Sequence, residues 1–408
     1  MTKASRGRLR RALPRKLSRG WERAVFAAPQ QPGDAAPPEE VVEGPGVDVD
    51  LDEVRLTAAV DALLAAAEAA AEAGLTKQTI VVDDRRRLTY DARHGHLKTK
   101  TLDDATALKV MGGKERLFRP DRSAAFLRAI GIMNADGTIS TRHARKYKQI
   151  SHLAELCRPT WERVAKRRPL SAEAPLRVLD LACGNAYLSF VIAEALRLAE
   201  VPLRLHGVDV RDDLIARARA RAAEIGLDGL SFARATIAEA YAAAQTRDAL
   251  GGPPDIIVAL HACDTATDEA LELAIRSGAP AILCVPCCQH ELAGQLAASD
   301  PGAPPPGNPA VPALLSHGLL RGAYADALTD AIRCELLAAC GYLVDVVEFV
   351  GSEHTAKNLL IRAHRRRRGA VDPAAWELAP VAAACERAGV SPSLLRRLEA
   401  ARRQAATA

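Results

Sequence analysis

Apolar and polar residues alternate in regular blocks through the second half of the chain. Short apolar runs are followed by longer segments in which apolar residues recur at helical spacing. The apolar runs predict buried strands at 177–181, 204–209, 229–233, 255–260 and 280–285. The segments between them predict helices at 188–198, 212–225 and 266–277. Strands that alternate with helices in this way predict an α/β fold with a doubly wound parallel sheet.

Two further strands close this pattern. The segments 342–350 and 358–363 are apolar and are joined by a short polar stretch, which predicts an antiparallel pair. Added to the earlier strands, they give a Rossmann-like sheet of seven strands. We therefore place the main domain at residues 140–365.

The first half of the chain has a more mixed pattern. Leu56, Val60 and Leu63 stand at helical spacing, and residues 78–90 predict two short strands around a polar turn. These elements predict a smaller mixed α+β domain at residues 51–135, ahead of the main domain.

Both ends of the chain are rich in basic residues. Residues 1–50 combine arginine and lysine with proline, glycine and acidic residues, and they are predicted to be a disordered basic tail and linker. The arginine-rich start also fits an organelle transit peptide, which is the alternative interpretation. Residues 366–408 are expected to hold a basic run and C-terminal helices.

The composition fits a chain with two folded domains. It has 408 residues, of which 49% are hydrophobic and only 4% aromatic. The nine cysteines gather around the predicted strands of the main domain, not in the spaced pattern of a disulfide framework, which is typical of a reducing cytosol. No apolar stretch is long enough to span a membrane. We therefore expect a cytoplasmic protein without a membrane partner.

The segment 177–189 carries the most informative motif. A buried strand leads into a turn of small residues around Gly184, and an apolar helix follows. Such a turn lets the backbone approach a nucleotide-like ligand. A second strand ends in Asp209, whose carboxylate is placed to accept the two hydroxyls of a ribose. A dinucleotide-binding turn is the alternative, but its fingerprint has three glycines around a pyrophosphate.

These two segments resemble the cofactor-binding half of class I S-adenosylmethionine-dependent methyltransferases. The resemblance implies S-adenosyl-L-methionine as the cofactor, with Asp180 facing its ammonium group and Asp209 its ribose. The remaining expected cofactor contacts are Ala182, Gly184, Asn185, Thr236 and Leu260.

Cysteine and histidine residues follow the fourth and fifth strands. Ligands bind at the carboxyl ends of the strands in such a sheet, so the residues after neighbouring strands are expected to converge. The candidate catalytic residues are His261, Cys263, Asp264, Cys287 and Cys288.

The stretches HACDTATD at 261–268 and PCCQHE at 286–291 resemble a methyltransferase-domain family related to the ribosomal RNA adenine dimethylase domain-containing proteins. The resemblance implies the fold and the cofactor without fixing the acceptor. Adenine N6 methyltransferases usually carry an Asn/Asp-Pro-Pro-aromatic motif after the fourth strand. The chain has His261 to Asp264 there, which argues against amino-group methylation of adenine.

Several roles for the cysteines remain open. They are small apolar residues that are commonly buried, and a zinc site drawn from these cysteines and histidines would be irregular. Cys263 together with Cys287 or Cys288 fits, by position, covalent catalysis through a thiolate at a pyrimidine C5, and redox regulation is a further alternative. We assume no metal site.

Asp264 has two interpretations. It and His261 are candidates for a general base or for orienting the substrate. The structural alternative for Asp264 is the N-cap of a helix that begins near Thr267.

The basic segments point to RNA as a partner. The net charge is +5, and basic residues crowd the N-terminus, residues 98–100 and residues 143–148. They could contact phosphates, although a solvated face with disordered tails is the alternative. The sequence therefore predicts an S-adenosylmethionine-dependent methyltransferase whose acceptor is RNA. The alternatives are a protein or small-molecule methyltransferase, and a non-catalytic adaptor that binds nucleic acid or protein.

Overall fold

The structure, a computed structural model, describes residues 1–29, 38–242, 244–260, 262–287, 289–298, 310–348, 359–366 and 372–407. The chain divides into two compact units, Met1–Lys148 and Gln149–Ala408. Each unit has its own sheet, and each is described by itself below.

The first unit is a small α+β domain. Its elements in chain order are α1 (Lys3–Ala12), α2 (Pro14–Leu17), β1 (Gly20–Ala27), β2 (Glu39–Val47), α3 (Glu53–Glu72), β3 (Lys77–Val81), β4 (Arg86–Asp91), β5 (Lys98–Thr101), α4 (Asp104–Val110) and α5 (Ala124–Ala129). The five strands form one antiparallel sheet in the order β2-β1-β3-β4-β5. Apolar residues of α1, α2, α3 and one face of this sheet share a core.

The prediction of a disordered tail at residues 1–50 is wrong wherever the structure describes this segment. Leu9, Leu13 and Leu17 are each 0% exposed. They stand four residues apart, so a helical backbone brings them to one face, where they join the core of the unit. The charge of the segment argued for disorder, but its leucine spacing decides the structure.

The arginines of α1 have acidic partners on α3. Arg6 pairs with Glu68 at 2.7 Å, and Arg10 pairs with Asp61 at 2.7 Å. These pairs are partly exposed, so each contributes little to stability. They show that the basic residues at the start of the chain face an acidic helix.

We predict that Leu13→Ala lowers the free energy of unfolding of the first unit by about 2–5 kcal/mol, because it removes a fully buried side chain and leaves a cavity. Urea unfolding followed by Trp21 fluorescence, in a W161F/W376F background, measures this change. Arg11→Ala, an exposed substitution two residues away, is the control. Equal stabilities of the two variants would show that Leu13 does not pack in the core, and would support the prediction of a disordered tail.

The second unit contains the larger sheet. Its elements begin with α6, which spans Thr141–Arg167 and so starts within the first unit. The elements that follow are β6 (Leu176–Leu181), α7 (Tyr187–Leu198), β7 (Leu203–Asp209), α8 (Asp212–Ile225), β8 (Leu230–Arg234), α9 (Ile237–Ala242), α10 (Ala244–Leu250), β9 (Ile256–Ala259), α11 (Thr265–Ser277), β10 (Ala281–Cys284), α12 (Glu291–Ala298), α13 (Ala310–Ser316), α14 (Gly318–Ala339), β11 (Tyr342–Glu348), β12 (Leu359–Arg365), α15 (Ala379–Arg387) and α16 (Ser393–Thr407).

The order of this sheet is β11-β12-β10-β9-β6-β7-β8. The five strands from β6 to β10 are parallel to their neighbours, whereas β12 is antiparallel to both β10 and β11. The prediction of a doubly wound, seven-stranded α/β sheet is confirmed. The strand order reverses between β6 and β9, which is where such sheets bind ligands.

The central strands are buried on both faces. Every residue of β9 and β10 is buried, as expected for parallel strands covered by helices on both sides. Their continuous apolar runs made them readable from the sequence.

The C-terminal helices are part of this unit. Trp376 is 2% exposed and Leu398 is 0% exposed, and both belong to the core that includes β9 and β10. On the polar side, Arg396 pairs with Glu291 at 2.7 Å. The helices expected within residues 366–408 are therefore present in the described part of that segment, with their apolar faces buried. Among the described residues, no helix is both long and apolar enough to cross a membrane.

Candidate functional site

The turn between β6 and α7 has an unusual backbone. Ala182, Gly184 and Ala186 have φ values of 54°, 60° and 57°. Glycine adopts positive φ without strain, whereas alanine does so at some cost, and such strain concentrates at functional sites. The turn brings the backbone sharply from the strand end into the first residue of α7.

The Asp209 carboxylate holds this turn in place. Its Oδ2 accepts the backbone N–H of Gly184 at 2.9 Å, and its Oδ1 accepts the backbone N–H of Arg211 at 3.0 Å. Burial acts to raise the pKa of Asp209, but the hydrogen bonds from Arg211 and Gly184 outweigh it and hold the pKa below its usual value. Asp209 is therefore a permanent carboxylate at the end of β7.

Asp180 lies at the same edge of the sheet, but its pKa is shifted in the opposite direction. It is 1% exposed, its Oδ2 accepts the Ser189 hydroxyl, and its Oδ1 is buried without a hydrogen-bond partner among the described residues. Burial raises the pKa of Asp180 to about 7; the nearby Asp209 charge adds to this rise and the Ser189 hydrogen bond opposes it. An unpartnered buried acceptor of this kind indicates a place for a donor.

A glycine allows close packing behind the turn. A Cβ atom at Gly207 would lie 2.7 Å from the Phe232 ring and 3.1 Å from the Cys183 sulfur. Any larger residue at this position of β7 would push the ring or the turn away. Glycine is therefore required here by local packing, and its small size lets the ends of β6 and β7 stay close together.

The structure assigns capping roles to two predicted cofactor contacts. Asn185 is exposed, and its Oδ1 accepts the Tyr187 N–H at the start of α7. Thr236 and Glu239 bond each other reciprocally across the first turn of α9, which is a capping box. Leu260, a third predicted contact, directly follows β9 and is 3% exposed.

Two of the predicted cysteines meet at the ends of β9 and β10. The sulfur atoms of Cys263 and Cys287 are 3.1 Å apart. Cys263 is exposed and Cys287 is half-buried, and neither is in a disulfide. His261 and Cys288 lie outside the described residues. In the part of the chain that the structure describes, no group of three or more His, Cys, Asp or Glu residues is placed to hold a metal ion.

Asp264 caps a helix, but a different helix from the one expected. Its Oδ1 accepts the backbone N–H of His290 at 3.0 Å and that of Glu291 at 3.1 Å, at the start of α12. It makes no side-chain cap to α11, the helix near Thr267. Its backbone has φ 51° and ψ −124°, a strained conformation for a residue other than glycine. Asp264 therefore ties the loop after β9 to the loop after β10.

Arg333, which sequence reasoning missed, supports the same loop. It is 2% exposed on α14, and its Nε bonds Asp268 Oδ1 at 2.7 Å. Its Nη2 donates to the backbone carbonyl of Asp264 at 3.0 Å. An arginine between the apolar residues Ile332 and Cys334 was the available signal, but nothing in the sequence indicated its partner.

Comparisons with known proteins agree with this geometry. Residues 145–295, less than half of the chain, match a family model described as a methyltransferase domain. The second unit has a class I methyltransferase fold. Methyltransferases of this class use S-adenosyl-L-methionine, and the match supports it as the cofactor of this domain.

Curated relatives resemble this chain over a limited region. A glutathione S-transferase C-terminal domain-containing protein of Mus musculus is 29% identical over 154 residues, which are 38% of this chain and 20% of that protein. Its Xenopus laevis counterpart is 28% identical over 155 residues, 38% of this chain and 21% of that protein. The chain thus spans about a fifth of the length of these relatives.

Solved methyltransferase structures show similarity at low identity. The SAH-bound methyltransferase PaMTH1 of Podospora anserina is 15% identical, with a TM-score of 0.33, and the match covers 65% of this chain and 95% of that one. Magnesium protoporphyrin IX methyltransferase of Synechocystis PCC 6803, with bound SAH, is 15% identical, with a TM-score of 0.31, and the match covers 59% and 93%.

The residues of the methyltransferase turn fit this cofactor. The unpartnered Asp180 Oδ1 leaves an acceptor for an ammonium group. The Asp209 carboxylate accepts four N–H groups, one from Gly184 and three from Arg211, and a carboxylate has about four acceptor positions. Ribose hydroxyls would therefore bind in place of the Arg211 guanidinium, whose side chain is 60% exposed.

We predict that binding of S-adenosylhomocysteine at about pH 7 releases close to half a proton per site. The Asp180 carboxyl is partly protonated at this pH because its pKa is about 7, and an ammonium group held against Oδ1 favours the ionised form. Isothermal titration calorimetry in buffers of different ionisation enthalpy measures the released protons.

Asp180→Asn should bind the ligand more weakly and release no protons, whereas Asp213→Asn, an exposed carboxylate on α8, should behave like the unmodified protein. Proton release that persists in Asp180→Asn would show that the ammonium group binds elsewhere.

Proposed function

We propose that the second unit transfers a methyl group from S-adenosylmethionine to a nucleophilic atom of RNA. The observation that supports catalysis best is the edge formed by Asp180, Gly184 and Asp209, where a buried unpartnered carboxylate oxygen lies beside a tightly held turn. When bound, the cofactor supplies a methyl group made electrophilic by a positively charged sulfur. The protein supplies position and a site that excludes water.

The cofactor contacts follow from this edge. Asp180 would accept the ammonium group and Asp209 the ribose hydroxyls. The turn at Ala182, Gly184 and Asn185 contributes backbone, while Thr236 and Leu260 stand after the neighbouring strands β8 and β9. The capping bonds of Asn185 and Thr236 fit a role for their backbone more than for their side chains.

The acceptor side is formed by the loops after β9 and β10. Cys263 is exposed and adjoins Cys287, so a thiol is accessible to a substrate that approaches this edge. Because the Asp264 carboxylate caps α12, we assign Asp264 to positioning these loops. His261 and Cys288 remain proposed catalytic residues on the strength of the sequence alone.

RNA is proposed as the acceptor because the chain carries concentrated basic residues outside the methyltransferase domain. The family resemblance of the blocks at 261–268 and 286–291 does not itself fix the acceptor. We further propose that the protein acts in the cytoplasm, which agrees with the free thiols of its described cysteines.

We predict that tritium from labelled S-adenosylmethionine passes to RNA when the protein is incubated with a total cell extract. Ribonuclease treatment should release the label, because it would then reside in RNA. Label that resists ribonuclease but is released by protease, or that stays in the small-molecule fraction, would favour the other acceptor classes.

Isothermal titration calorimetry with S-adenosylhomocysteine tests the edge formed by Asp180, Gly184 and Asp209. Asp209→Asn should lose at least about tenfold in affinity for S-adenosylhomocysteine, a loss of about 1.4 kcal/mol, whereas Asp213→Asn should lose none. If the unmodified protein shows no affinity for S-adenosylhomocysteine, the chain is better described as an adaptor that keeps the fold.

We predict that Cys263→Ala and Cys287→Ala each reduce turnover at saturating cofactor and leave cofactor affinity unchanged, because these thiols lie on the acceptor side. Cys334→Ala, a half-buried cysteine of α14, is the matched control. A thiolate that attacks a pyrimidine would make at least one loss about a hundredfold or more. Full turnover in both variants would show that neither thiol takes part in the reaction.

A further inference from the structure

A basic cavity lies on the first unit, apart from the sequence motifs of the methyltransferase domain. Its volume is about 630 Å³, within the range of ligand sites. Cations line it from three neighbouring strands: Lys77 on β3, Arg87 on β4, and Lys98 and Lys100 on β5. The pairing of Arg87 with Lys100 and of Thr89 with Lys98 places these side chains along adjacent rows of the sheet.

The cations of this cavity are not neutralised by ion pairs. Among the residues that the structure describes, Arg87, Lys98 and Lys100 have no carboxylate within ion-pair distance. Arg87 is half-buried, and burial lowers its pKa below the usual value. A half-buried cation without an ion-pair partner is costly, and a bound anion would offset that cost.

The acids of the cavity are already engaged. Asp91 pairs with Arg93 at 2.6 Å, and the Arg93 hydrogen bonds lower the pKa of Asp91 to about 2. Asp136 accepts both the N–H and the hydroxyl of Thr138, and its charge acts to raise the pKa of Arg87 against the effect of burial. This single charge stands against four lysine and arginine side chains of the lining, so an excess of positive charge faces the cavity.

This cavity also differs from the other basic segments singled out in the sequence. The arginines of α1 that pair with α3 are partly neutralised, whereas the β5 lysines are exposed along an edge strand. Tyr90 is the only Phe, Tyr or Trp that lines the cavity within the described chain, and it is 4% exposed. His94 and His96 are exposed members of the lining. The lining therefore offers two imidazoles but no exposed large aromatic ring for stacking bases, and its lysine and arginine side chains suit phosphates.

We propose that the cavity over β3, β4 and β5 binds the sugar–phosphate backbone of the RNA acceptor, through Arg87, Lys98 and Lys100, without reading its bases. This proposal rests on the proposed function, because it takes the acceptor to be RNA. The contacts are charge-assisted hydrogen bonds from lysine and arginine to phosphate oxygens, with threonine hydroxyls as further donors.

Fluorescence anisotropy tests the proposal with the full chain, no cofactor, and a mixed-sequence single-stranded RNA labelled with fluorescein. The test variant is K98Q/K100Q, and K109Q/K114Q is the matched control, with two exposed lysines of the same unit that do not line the cavity. We expect K98Q/K100Q to bind about tenfold or more weakly. Its slope of log affinity against log salt should fall by about 1.4, or about 0.7 for each lost phosphate contact, while the control stays unchanged.

Four results would overturn the proposal. They are no RNA binding by the unmodified protein, equal losses in the two double variants, displacement of RNA by polyglutamate at matched charge, and equal binding by both double variants and the unmodified protein. Displacement by polyglutamate would indicate an acidic peptide, and equal binding would mean that the β5 lysines only protect an edge strand from pairing. Circular dichroism confirms that the variants are folded.

Methyl transfer is measured separately on the same RNA. If K98Q/K100Q loses RNA binding but the unmodified protein transfers no label, the phosphate site stands and the proposed function fails. If label is transferred at equal rates by both double variants at limiting RNA, the proposed function stands and the phosphate site fails.

Discussion

The hydrogen bond from the Gly184 backbone to the Asp209 carboxylate is the contact on which the candidate site depends. It joins the end of β6 to the end of β7, next to the point where the strand order reverses. Two alanines flank Gly184 at positive φ, which needs support from the surroundings. The carboxylate supplies that support because Arg211 and the backbone keep it ionised. The same group thus shapes the turn, and a ligand would reach it by replacing the exposed Arg211 guanidinium.

A second set of contacts orders the acceptor side of the site, which is formed by the loops after β9 and β10. Asp264 accepts two backbone N–H groups at the start of α12, and Arg333 holds the Asp264 carbonyl from α14. The Arg333–Asp268 pair is almost fully buried, so its stabilising effect is small compared with the cost of breaking it. The effect of the Arg333–Asp268 pair is to fix the position of the strained loop that carries Cys263 next to Cys287. A hydrophobic pair of equal volume would lack the directional hydrogen bonds that hold the loop there.

The sheet could be predicted from the sequence, but the contacts between its loops could not. Periodicity is a local signal, so the strands and the turn at Gly184 were readable one segment at a time. Asp264 bonds a helix start 26 and 27 residues away, and Arg333 reaches Asp268 across 65 residues. Such partners depend on the fold and leave no local pattern. Residues 1–50 were misread for another reason, because their charge outweighed a short leucine stripe centred on Leu13.

Asp180 and Asp209, the two carboxylates at the ends of β6 and β7, have pKa values shifted in opposite directions, and this difference affects the stability of the fold. The pKa of Asp180 is raised, so the unfolded chain loses this proton at a lower pH than the folded protein, and the free energy of unfolding falls as pH rises from about 4 to about 7. The pKa of Asp209 is lowered, so its contribution is present above the unfolded value and is lost as pH falls. Near neutral pH, the free protein therefore has one carboxylate that stabilises the fold and one that strains it. A ligand cation beside Asp180 relieves that strain, which couples binding to stability. The desolvation that raises the pKa of Asp180 would thus favour a cationic ligand beside it.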